Sequence, residues 1–119
     1  MDANGRDRYA HVAELELPEG LDPAAVGAAV TIALCGSVDH PPPCRWPNNH
    51  DTTPDGHYRA YFVAPPADEP EVRRRIDEAL HGGEWEVVSS GPRELRPGEF
   101  ELLERLAQTP LRTDAGPAE

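Results

Sequence analysis

The chain has 119 residues and a mass of 13.0 kDa, which is room for one domain. Acidic residues number 22 against 11 basic ones, all of them arginine, for a net charge of −11. A field of that sign repels phosphate and excludes a general affinity for nucleic acid or for an anionic membrane surface.

No apolar run approaches the roughly 20 residues that span a bilayer. The charged start Met1–Arg8 has no apolar segment after it, so no signal peptide is expected and the expected location is cytoplasmic. Leu, Ile, Val and Phe supply only 22 of 119 residues, and 14 Pro with 10 Gly also oppose folding. The apolar residues nevertheless fall into periodic segments bounded by cap and turn residues, which disordered chains lack. One folded domain is expected over 8–108, with a flexible tail over 1–7 and a disordered one over 109–119.

From Tyr9 to Leu17 apolar and polar positions alternate, which predicts a strand. Asp22-Pro23 then supplies an N-cap and a first-turn proline. Val26, Ala29, Val30, Ala33 and Leu34 follow at helical spacing, and Gly36 stops the helix. Gly27 costs that helix roughly 1 kcal/mol relative to Ala, a cost that close packing on a sheet would explain. Residues 36–56 hold five prolines and read as a long loop. His57–Ala64 reads as a central strand with two apolar faces. Asp68, Glu69 and Pro70 open a second helix with the stripe Val72, Ile76, Ala79 and Leu80, which Gly82-Gly83 closes. Glu84–Ser90 is a further strand, and Arg96-Pro97-Gly98 begins a last helix bearing Phe100, Leu103 and Ala107.

This order predicts an α/β (α+β) two-layer sandwich, with the first two helices on one face. If the 36–56 loop hides a short strand, the order becomes β-α-β-β-α-β, a ferredoxin-like sandwich with an extra C-terminal helix. The alternative is a three-stranded sheet with the loop over one end. The expected core is Leu15, Leu17, Val30, Leu34, Phe62, Ile76, Leu80, Val87, Phe100 and Leu103.

The loop gathers the chain's ligand-type side chains. His40, Cys44 and His50 offer two imidazoles and a thiol, the mixed nitrogen and sulfur set that zinc accepts, and Cys35 or His57 would complete the shell. Pro41-Pro42-Pro43 would stiffen the link between His40 and Cys44. The spacing matches no standard zinc motif. Cys35 and Cys44 could also close a short loop by a disulfide, but a cytoplasmic protein is expected to keep them reduced. A catalytic alternative uses Cys44 as nucleophile, activated by Arg45 and by a base such as His50, in a pocket under the loop. Trp46 either packs back onto the domain or anchors a protein partner.

Elsewhere structural readings suffice. Arg73-Arg74-Arg75 reads as a solvated helix face paired with Glu71, Asp77 and Glu78. His11 reads as a hydrogen-bonded core histidine. Paired carboxylates in an apolar setting, a glycine-rich phosphate loop and a hydrolase elbow are all missing from the sequence. The expected function is therefore a non-catalytic or accessory binding protein, with a small-molecule enzyme as the alternative. A homodimer, or a complex with another protein, is expected to cover Tyr61, Val63 and Val88 on the second face of the sheet.

Overall fold

The computed structural model describes residues 5–36 and 45–107, and at positions 100, 102, 106 and 107 the backbone alone. The elements are β1 (Asp7–Glu16), α1 (Ala24–Cys35), β2 (Asn48–Thr52), β3 (His57–Ala64), α2 (Glu69–His81), β4 (Glu86–Arg93) and α3 (Phe100–Ala107). Single 3-10 turns at Pro66–Asp68 and Pro97–Glu99 lead into α2 and α3.

The four strands form one sheet in the order β2-β3-β1-β4, antiparallel at every neighbour. β1 and β2 are thus parallel to each other with β3 between them, and α1 makes the crossover. β3 and β4 flank β1 in the same way, with α2 as their crossover. The 36–56 stretch does contain a strand, β2, and the three-stranded alternative is set aside. β4 ends three residues beyond the expected boundary, because an edge strand tolerates Gly91 and Pro92.

Both crossover helices lie on one face of the sheet, as expected. Val26, Val30 and Leu34 of α1 and Val72, Ile76 and Leu80 of α2 pack on Ala13, Leu15, Tyr58, Ala60 and Phe62. Each large apolar side chain buried here contributes about 1.5–3 kcal/mol. Leu17 and Val87 are only partly buried at the margin of this core. The Phe100 side chain lies outside the described residues.

The opposite face is half covered. Leu103 of α3 is buried on Ala10, Tyr61 and Val63. Tyr61 and Val63, expected to need a partner, are therefore covered by the chain's own last helix. Only Val88 of that trio stays open, at 59% exposure; it lies at the β1–β4 register shift. Asp7, expected in a flexible tail, pairs with Ala64, and Arg6 is buried.

The β2–β3 turn is built on Gly56, whose φ of 96° favours glycine. A Cβ there would stand 2.0 Å from the Leu15 carbonyl oxygen. Its own carbonyl accepts the Leu15 N–H at 2.8 Å. The turn is thereby tied to β1 and fixes where β2 ends and β3 starts.

Candidate functional site

β2 reads Asn48-Asn49-His50-Asp51-Thr52, with no aliphatic residue to hold it. Side-chain hydrogen bonds do that work. The Tyr58 hydroxyl lies 2.8 Å from His50 Nδ1, and His50 Nε2 lies 2.7 Å from Asn48 Oδ1. An amide oxygen only accepts, so Nε2 carries the proton and Nδ1 accepts from Tyr58. Asn48 Nδ2 in turn donates to the Trp46 carbonyl at 2.7 Å and to Cys35 Sγ at 3.3 Å. Burial lowers the His50 pKa from 6.5 to about 4 and raises that of Tyr58, so both groups are neutral at pH 7.

The second buried histidine sits between β1, α2 and β4. His11 is 3% exposed. Arg73 Nη1 lies 2.9 Å from its Nδ1, and Ser90 Oγ lies 2.9 Å from its Nε2. A guanidinium only donates, so Nδ1 accepts and the ring proton is on Nε2, pointing at Ser90. Burial first, then the Arg73 charge, lower this pKa to about 4, against a smaller opposing effect of Asp77. Arg73 also donates to Glu69 at 2.8 Å and to the Ala10 carbonyl at 3.0 Å. Its guanidinium lies over the rings of Tyr9 and Phe62. Arg73 is thus a packed residue, in contrast to the expected solvated face; Arg74 pairs at the surface with Glu71 and Glu78, and the part-buried Arg75 pairs with Glu71 and donates to the Ala33 carbonyl.

The expected ligand set is not brought together among the described residues. His40 and Cys44 lie outside them. His50 has both ring nitrogens engaged, and His57 is an exposed residue 3.6 Å from the Asp55 carboxylate. Cys35 is disulfide-bonded, and such bonds are uncommon in a reducing cytoplasm. No three His, Cys, Asp or Glu side chains gather to hold a metal ion among the described residues.

Trp46 takes the inward alternative. It is 2% exposed in the main core, with its indole N–H donating to Asp68 at 3.1 Å. The guanidiniums of Arg45 and Arg75 lie over its ring, at 4.6 and 5.0 Å from the centroid. Buried in this way, it offers no ring to a partner.

Beside β2 runs a groove of about 580 Å³, walled by α1 residues Ala24, Gly27 and Ala28 and by the whole of β2. Asp22 and Pro23 stand at one end, with Thr52 and Pro54. Sequence reasoning missed this feature because β2 was hidden in a polar loop. The signal that could have found it is the composition of α1, which has no charged residue in twelve. No helix among the described residues is long and apolar enough to cross a membrane. Comparison with models of protein families, with curated proteins and with solved structures found no match for this chain.

Proposed function

We propose that this chain is a non-catalytic binding domain built on a ferredoxin-like sandwich. The strand order β2-β3-β1-β4, antiparallel throughout and with both crossover helices on one face, supports the fold. Fold alone does not decide function.

The observation that carries the functional reading is the proton placement on His11. A histidine activates a serine only through an unprotonated ring nitrogen facing the hydroxyl. Here Arg73 occupies Nδ1, so Nε2–H faces Ser90 and the serine accepts instead of giving up its proton. The pair has the spacing of a catalytic dyad with the polarity reversed. His50 is committed in the same way, between a tyrosine hydroxyl and an asparagine carbonyl. A zinc site on the 36–56 loop would have to break one of those bonds to use His50, so the binding reading does not depend on metal.

A fluorophosphonate probe, which traps activated serines, tests this directly. The expected result is no labelling of Ser90 in the native protein at pH 7. Stoichiometric labelling that vanishes in His11→Gln would overturn the reading.

A further inference from the structure

The two edges of the sheet are treated differently. β4 is blunted by Pro92 and by a register shift opposite Glu14 and Leu15, devices that discourage a further strand. β2 has neither. Its pairing with β3 runs in register from Asn48↔Phe62 to Thr52↔Tyr58. The Val63 N–H donates to the Pro47 carbonyl at 3.0 Å and the Thr53 N–H to the His57 carbonyl at 2.9 Å. Hydrogen-bonded pairs alternate along an antiparallel ladder. The odd-numbered residues of β2 therefore face β3, and His50 and Thr52 turn their main-chain N–H and C=O groups outward. Among the described residues no strand pairs with that side.

Beside this edge α1 presents Ala24, Gly27 and Ala28, and its outer side carries no charge. Ala24 is exposed and Ile32, two turns further along, is 49% exposed. A surface helix normally carries charge on its outer face. In a chain with 28% charged residues, this one carries none. Two acids mark the rim of the groove, Asp22 and Asp51. Asp51 also holds Arg59, and Asp22 has no cation beside it among the described residues.

Resting on the binding-domain reading, we infer that the β2 edge and α1 together dock an extended basic peptide by strand addition. The main chain of the peptide pairs with His50 and Thr52. Its apolar side chains lie along Ala24, Ala28 and Ile32, and its Lys or Arg side chains meet Asp22 and Asp51. Main-chain pairing supplies affinity and the alternate side chains supply selectivity. The charge of −11 favours a cationic strand and opposes a second copy of the same chain, which brings another −11 to the edge.

The test uses a fluorescein-labelled peptide of alternating valine and lysine, and a comparison peptide of alternating valine and glutamate. Thr52→Pro removes an outward N–H without touching a β2–β3 bond, and proline is tolerated on an edge strand. Ile32→Glu places a charge on the exposed helix flank. Far-UV circular dichroism checks that both variants fold. The expected result is saturable anisotropy with the lysine peptide, weakened about tenfold or more in each variant and in the glutamate peptide, a change of about 1.4 kcal/mol. Absence of binding, equal affinity of Thr52→Pro and the unaltered chain, or equal affinity for both peptides would overturn the inference. So would a particle of twice the chain mass in light scattering that Thr52→Pro dissociates, since the edge would then belong to a second copy. None of these outcomes alters Ser90 labelling, so failure of the docking site is distinguishable from failure of the binding-domain reading.

Discussion

Gly27 of α1 and His50 of β2 are in such close contact that a Cβ on the glycine would stand 3.0 Å from the histidine Cβ. The helix thus sits directly on the polar strand, and the position that weakens the helix is the one that permits the approach. This contact holds His50 against Tyr58, and it sets the width of the groove between α1 and β2.

Gly27→Val should therefore destabilise the fold by about 1–3 kcal/mol, the usual cost of overpacking. Gly27→Ala should cost less, because Ala recovers roughly 1 kcal/mol of helix propensity. Urea denaturation with the slope of the transition unchanged checks both values. A stabilised Gly27→Val would show that α1 does not rest on His50.

Stability should fall with acid in a defined window. Unfolded imidazole titrates near 6.5, and His11 and His50 titrate at about 4 in the fold. The unfolded chain then binds more protons between those values, so stability is level above pH 6.5 and is lost as pH falls toward 4. Each ring should account for about 2 kcal/mol by pH 4.5. Below that window the loss continues as Glu99 protonates, its pKa being held at about 2 chiefly by its hydrogen bond from Arg93. Denaturation at pH 7.5, 5.5 and 4.5 reads the slope, which the double variant His11→Gln with His50→Gln should flatten.

Arg73 should control the charge of His11. Arg73→Met removes both the donor to Nδ1 and the positive charge that helps lower the pKa. The His11 pKa should rise, as read by NMR titration, while that of His50 stays where it was. A matching shift in both rings would mean a general loosening of the core.

Cys35 should carry no free thiol. The sequence has two cysteines, and Cys35 is disulfide-bonded. Unfolded protein kept from reductant should take up no iodoacetamide, and after reduction it should take up two equivalents, one at each cysteine. Metal analysis of the same preparation separates this state from the zinc reading, because a ligand thiolate is released by chelator and a disulfide is not.

Much of this architecture was legible in the sequence because burial leaves a period. His57–Ala64 is bounded as the alternation and the flanking prolines place it, and α1 and α2 follow their apolar stripes. β2 was not legible. Its residues are all polar, and a strand held by a Tyr58–His50–Asn48 relay leaves no apolar alternation to read. Arg73 was misjudged for a related reason. Three consecutive arginines on a helix span about 200° of its circumference, so one of them must turn toward the neighbouring elements. The inward fate of Trp46 was undecidable from sequence, because its partner Asp68 and the Arg75 guanidinium come from across the fold.

The central claim is that the buried imidazoles hold structure and perform no proton chemistry, and imidazole nitrogen NMR of the native protein at pH 7 tests it most directly. His11 and His50 should both be neutral, both with the proton on Nε2, and neither should titrate between pH 8 and about 5.5. A proton on Nδ1 of His11, or a titration midpoint between about 6 and 7 for either ring, would contradict it.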